Sequence, residues 1–67
     1  MQISRYALVQ RINRRLAARG ERLHATRGRG PAKHFVVDLH RGEVVREHVD
    51  LVALGRELRI LKPWETV

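Results

Sequence analysis

The sequence contains no cysteine, only one Phe, one Tyr and one Trp, and no long apolar run. Without Cys, neither a disulfide framework nor a thiolate metal site can stabilise the chain. No apolar segment approaches the roughly 18 residues of a membrane span. Arg5 and Arg11 also interrupt the N-terminal stretch, where a secretory signal would be apolar. We therefore expect a soluble, cytoplasmic protein that does not act on membranes.

The length of the chain limits its architecture. Its 67 residues are close to the smallest size at which one hydrophobic core offsets the entropy of the chain. One domain over residues 1–67 is expected. Because such a core has little stability to spare, a homodimer that shares core surface also remains open.

Acidic residues are scarce in the first half of the chain. Between Arg5 and Lys33, nine basic side chains stand against one acid, Glu21, whereas residues 34–67 hold five basic and six acidic side chains. The formal charge of +7 therefore belongs mainly to one end. Excess positive charge favours nucleic acid or another polyanion as the partner, with an acidic protein surface as the alternative. A third interpretation is that the positive charge has no function. Twelve of the fourteen basic residues are Arg, and a GC-rich gene can encode many Arg without any functional demand.

Residues 5–19 carry a helical pattern. Ser4 is a suitable N-cap, and Leu8, Ile12 and Leu16 recur at every fourth position to form one apolar stripe. Gly20 follows, where left-handed backbone costs glycine little. The pattern predicts a helix with one face in the core.

Three short segments are typical of strands: residues 21–27, 34–40 and 43–49. In the second segment, alternation predicts that Phe35, Val37 and Leu39 face the core. Arg41-Gly42 is suited to the hairpin turn between the last two strands.

The last part of the chain predicts a second helix over residues 51–61. Asp50 is suited to cap it, and its apolar positions are Leu51, Leu54, Leu58 and Leu61. Trp64 is expected to fold back onto the core. The order α-β-β-β-α predicts an α+β fold with both helices on one face of a three-stranded antiparallel sheet.

The candidate binding residues form two groups. Projection at 100° per residue places Arg11, Arg14 and Arg15 away from the apolar stripe of the first helix. The Gly-rich loop after the first strand adds Arg27, Arg29 and Lys33. Arg donates bidentate hydrogen bonds to phosphate, and glycine permits close approach of the backbone. Neutralising four to six phosphates would give a log–log salt slope of roughly −4 to −5 on duplex DNA.

Phe35 is the only aromatic residue in a predicted strand. Because alternation directs it to the core, no stacking platform for unpaired bases is expected, and duplex backbone contacts are the favoured mechanism.

The sequence gives little indication of a catalytic site or a metal site. His34 and His40 share strand parity, but six residues separate them by roughly 20 Å, too far for one metal ion. Neither Ser4 nor Thr26 has an identifiable base, and the strand carboxylates have no partner group. We expect no enzyme activity, no cofactor and no metal.

The predicted order also resembles the double-stranded-RNA-binding domain. The local similarity lies in Leu16 to Gly20, in Gly30 to Phe35 and in the Arg41-Gly42 hairpin. That family uses its first helix and first inter-strand loop on successive minor grooves. The resemblance assigns Arg11, Arg14 and Arg15 to the helix region, and Pro31, Lys33 and His34 to the loop region. The lysine cluster that opens the last helix in that family is replaced here by Asp50 to Ala53.

The C-terminal run from Val49 to Leu58, followed by Leu61 to Glu65, is similar to a group of small uncharacterised proteobacterial proteins, often carried on plasmids and integrated elements. That resemblance implies a DNA-handling, regulatory or counter-defence role. The leading hypothesis is therefore a small nucleic-acid-binding protein that regulates a mobile element. The alternative is a protein-interaction module that docks on an acidic protein.

Overall fold

The protein is described by a computed structural model for residues 1–26, 30 and 32–67. The elements follow the order α1 (Arg5–Ala17), β1 (Glu21–Ala25), β2 (His34–Asp38), β3 (Glu43–Val49) and α2 (Leu51–Glu57). The three strands form one antiparallel sheet in the order β1-β2-β3. This confirms the predicted α+β fold. Neither helix of the described residues is long and apolar enough to cross a membrane.

Helix α1 begins and packs as its sequence predicts. The Ser4 hydroxyl accepts a hydrogen bond from Ala7 N at 3.0 Å, which satisfies one free N–H of the first turn. Leu8, Ile12 and Leu16 are buried. The helix ends at Ala17, two residues earlier than predicted, and the turn that follows contains the left-handed Gly20 (φ 70°).

The sheet has one covered face and one open face. Leu23 and Val36 are cross-strand partners and both are buried beneath the helices. The prediction that Phe35, Val37 and Leu39 face the core is wrong, because Val36 takes that role. Phe35 and Val37 are half-buried on the opposite face, and Leu39 is 58% exposed in the turn after β2.

The β2–β3 hairpin closes through residues 39–42. Gly42 is left-handed (φ 68°), and its N–H donates to the carbonyl of Asp38 at 2.8 Å. The Asp38 carboxylate accepts from the backbone N–H groups of Arg41 and His40, and these bonds lower the pKa of Asp38.

Strand β3 departs from regular pairing twice. Its register with β2 shifts between Val44 and Arg46 and again before Val49, so that extra residues bulge from the ladder. His48 lies in the second bulge with φ 53°. Bulges of this kind discourage the outer edge of a sheet from pairing with another chain.

Helix α2 packs closely on α1. Its N-cap is Asp50, whose carboxylate accepts from the N–H groups of Val52 and Ala53. Gly55 faces α1, where an added Cβ would lie 2.9 Å from Leu8 Cδ1. The helix ends at Glu57, well before the predicted residue 61, and Arg59 then adopts left-handed backbone with φ 60°.

Residues 58–67, here called the C-terminal segment, return to the start of the chain. Ile3 N donates to Thr66 O at 2.7 Å, and Thr66 N donates to Met1 O at 2.8 Å. Leu58 and Leu61 of this segment are buried in the core. Trp64 is 63% exposed, so the expectation that it covers the core is wrong.

Candidate nucleic-acid interface

A groove of about 530 Å³, here called the basic groove, runs between α1 and the C-terminal segment. Its charged lining consists of Arg11, Arg14, Arg15, Arg59, Lys62 and Glu65. Five cations therefore surround a single carboxylate. Helix α1 supplies three of them from neighbouring turns, and the C-terminal segment supplies the other two.

Arg11 and Glu65 form the ion pair that holds the groove together. Arg11 Nη1 lies 3.0 Å from each carboxylate oxygen of Glu65 and also donates to the Ile60 carbonyl at 3.3 Å. Glu65 is only 4% exposed. Its pKa is lowered by the backbone N–H of Lys62 and further by Arg11. The projection of the α1 helix placed Arg11 with the cationic face, but its guanidinium group is paired with Glu65.

The other four cations have no such partner. Among the described residues, carboxylates lie within 4.0 Å only of Arg11 and Arg46, so Arg14, Arg15, Arg59 and Lys62 are left unpaired. The ammonium group of Lys62 lies 5.3 Å from the centre of the Trp64 ring, a cation–π contact that preserves its charge. The groove therefore presents net positive charge to solvent.

Arg59 is notable for its backbone. It follows the C-cap Leu58, at the position where helices commonly place a left-handed glycine, and it has φ 60°. A side chain in this conformation carries a steric cost that glycine avoids. The strain is a reason to look for a function of the guanidinium group.

The second predicted group lies elsewhere. Lys33 pairs with Thr26 beyond the end of β1, with its N–H donating to Thr26 Oγ1 at 3.1 Å. Thr26 lies five residues beyond Glu21, where the chain enters β1 from α1, and this spacing corresponds to roughly 17 Å along the strand. Lys33 is therefore at the opposite end of β1 from that entry. Lys33 is absent from the lining of the basic groove and lines a smaller groove with Phe35. Arg27 and Arg29 lie outside the described residues.

The sequence did not single out Arg59 and Lys62, because they belong to the nearly neutral half of the chain. What brings them to α1 is the early end of α2 and the return of the C-terminal segment. The available signal was the composition of residues 59–62, Arg-Ile-Leu-Lys, in which two cations flank two apolar residues that could anchor the segment.

The second ion pair of the described residues joins β3 to α2, away from the basic groove. Arg46 Nη2 of β3 lies 3.0 Å from Glu57 Oε1 of α2, and this hydrogen bond lowers the pKa of Glu57. Both side chains are about half exposed, so the pair adds little stability. Over residues 1–26, 30 and 32–67, no group of three or more His, Asp or Glu side chains is arranged to hold a metal ion.

Comparisons with protein-family models, curated proteins and solved structures found no match to this chain.

Proposed function

We propose that this protein binds nucleic acid by contacting the sugar–phosphate backbone in the basic groove. The observation that carries the proposal is the convergence of Arg14, Arg15, Arg59 and Lys62 on one groove, where the only carboxylate among the described lining residues is already paired with Arg11. Guanidinium groups bind phosphate through paired N–H donors, and Lys62 adds a point charge. The chain's charge of +7 favours approach to a polyanion.

The number of unpaired cations sets the expected salt dependence. If all four neutralise phosphates, the log–log slope on duplex DNA is about −3.6, and on a single strand about −2.8. Raising the salt from 50 to 200 mM would then weaken duplex binding by about 150-fold. The slope distinguishes contact by the groove alone from contact by the groove and the loop together, because Arg27, Arg29 and Lys33 would raise the number of neutralised phosphates to seven and the slope to about −6.3.

The sharpest test replaces Arg59 by Gly. This change removes one groove cation and also relieves the left-handed backbone, so the protein should be at least as stable as the wild type. We expect weaker binding in gel-shift titrations and a salt slope that is smaller in magnitude by about 0.9. Arg14→Glu with Arg15→Glu should reduce binding much further.

The matched control is Arg5→Gln, which removes the same charge from the first turn of α1. Arg5 is exposed and lies ten residues from Arg15, or about 15 Å along the helix. If Arg59→Gly and Arg5→Gln lose the same amount of binding affinity, only net charge matters, and this result would contradict a groove site. If duplex DNA, duplex RNA and single strands all fail to bind at 50 mM salt, the proposal is wrong. Co-purification of a defined acidic protein after nuclease treatment would then favour the alternative.

A further inference from the structure

The open face of the sheet presents an aromatic ring. The cross-strand pairs Leu23–Val36 and His24–Phe35 alternate, so the first lies on the core side and the second on the open side. The rings of His24 and Phe35 stack with centroids 5.6 Å apart and planes 16° apart. Neither helix covers this face, and Phe35 remains half-buried rather than buried.

A concave site adjoins this pair on the β3 side of Phe35. The groove measures about 270 Å³ and its surface is largely apolar. Phe35 and Val44 supply apolar walls, Lys33 and His48 supply nitrogen donors, and Glu47 supplies an acceptor. Drug-sized ligands occupy pockets of about 300–1,000 Å³, so this groove suits one planar ring system.

Arg14 and Arg22 lie between the basic groove and the open face of the sheet. Arg14 lines the basic groove and also a cleft at the β1 side of the molecule, which it shares with Arg22 and with one carboxylate, Glu21. Arg22 is opposite Val37 on the open face. It lies two residues, or about 7 Å, from His24 along β1. Lys33 lines the groove beside Phe35.

We propose that the groove beside Phe35 accepts an unpaired nucleobase from a strand whose phosphates lie along Arg14 and Arg22. The proposal rests on the proposed function and extends it, because it assigns single-stranded nucleic acid as the preferred ligand. Every base has a π-face, so stacking on Phe35 tolerates any sequence. Glu47 can accept a hydrogen bond from a base N–H, such as the N3–H of thymine.

A nucleobase fits this face better than a second copy of the chain. Two copies would bring charges of +7 and +7 together. Three strands of about five residues present a flat area of roughly 250 Å², far below the about 800 Å² per partner of a standard interface. The bulged edge of β3 and the α1-covered edge of β1, where Asn13 accepts from Leu23 N, leave little room for strand pairing.

The test compares three fluorescently labelled ligands by anisotropy: a ten-residue oligothymidine, an abasic strand of the same length, and a duplex hairpin. The abasic strand keeps the phosphates and lacks the bases. We expect the wild-type protein to bind oligothymidine about 10-fold more tightly than the abasic strand. Phe35→Leu should abolish this preference and leave abasic and duplex binding unchanged.

Tyr6→Leu is the matched control, because it removes the ring of an aromatic residue that is exposed on α1, away from the groove beside Phe35. It should leave all three affinities unchanged. The wild-type comparison needs no variant, so it decides the question even if Phe35→Leu fails to fold. Equal wild-type affinity for oligothymidine and the abasic strand would overturn the base site while leaving the proposed function intact. Absence of binding to all three ligands would overturn both. A dimer in sedimentation that Phe35→Leu converts to monomer would show that a second copy occupies this face.

Discussion

Gly55 is the position where the two helices place the tightest limit on side-chain size. An added Cβ would lie 2.9 Å from Leu8 Cδ1 and 3.3 Å from Leu61 Cβ. Both distances are shorter than ordinary van der Waals contact. We predict that Gly55→Ala lowers the free energy of unfolding, although alanine is the better helix former.

Two opposing effects decide the magnitude. Alanine is favoured over glycine in a helix by about 1 kcal/mol. Overpacking a well-filled core costs about 1–3 kcal/mol. The upper part of that range applies here, because Leu8 is fully buried and the Leu61 contact is to a Cβ that cannot rotate away. The net loss should be about 1 kcal/mol, which corresponds to a fall in Tm of about 4–8 °C for a domain of this size.

Chemical and thermal denaturation of four variants would measure both effects: Gly55→Ala, Ala53→Gly, Leu8→Val, and Leu8→Val combined with Gly55→Ala. Ala53→Gly, at an exposed position of α2, reports helix propensity alone and should cost about 1 kcal/mol. In a Leu8→Val background the Cδ1 methyl is gone, so Gly55→Ala should become less destabilising than it is in the wild type. If Gly55→Ala is as stable as the wild type or more stable, the close approach of the helices does not limit the core and the reasoning fails.

Two further predictions concern single polar contacts. Asn13→Ala should lower the free energy of unfolding by about 1–3 kcal/mol. Asn13 Oδ1 accepts from the edge N–H of Leu23 at 2.8 Å, and alanine leaves that donor unpaired. Asn13→Asp keeps an acceptor and should lose less stability in the same denaturation measurement. Glu65→Gln should destabilise the protein at pH 7. Since the folded pKa of Glu65 is lowered by the N–H of Lys62 and by Arg11, its ionised form stabilises the fold above the ordinary pKa of 4.5, and this contribution disappears as the pH falls through the folded value. The difference between Glu65→Gln and the wild type should therefore shrink at acidic pH in urea titrations; a constant difference would contradict this origin.

The parts of the fold that the sequence predicts are those with a local cause. Leu8, Ile12 and Leu16 repeat at helical spacing, and Ser4 and Asp50 are suitable caps, so both helix starts were correct. The prediction of which β2 side chains face the core was wrong because Phe35, Val36 and Val37 are three consecutive apolar residues. In such a run, alternation allows either Phe35 and Val37 or Val36 to face the core. Only the pairing of Leu23 with Val36 in the sheet decides between these two arrangements.

The candidate site was less predictable, because its residues meet through long-range contacts. Arg14 and Arg15 follow from helical projection and do line the basic groove. The partner of Arg11 is Glu65, which is 54 residues away, and no periodicity indicates that pair. Arg59 reaches the groove because α2 ends at Glu57, four residues before its apolar pattern ends.

The aromatic residues lie outside the fully buried core. All nine buried hydrophobic residues are Leu, Ile or Val, among the described residues. Tyr6 and Trp64 are 73% and 63% exposed, and Phe35 is half-buried on the open face. Aromatic rings bury about 150–250 Å² each and usually contribute strongly to a small core. Here the core excludes them, so Phe35→Leu should affect ligand binding more than stability, whereas Leu8→Val should do the reverse.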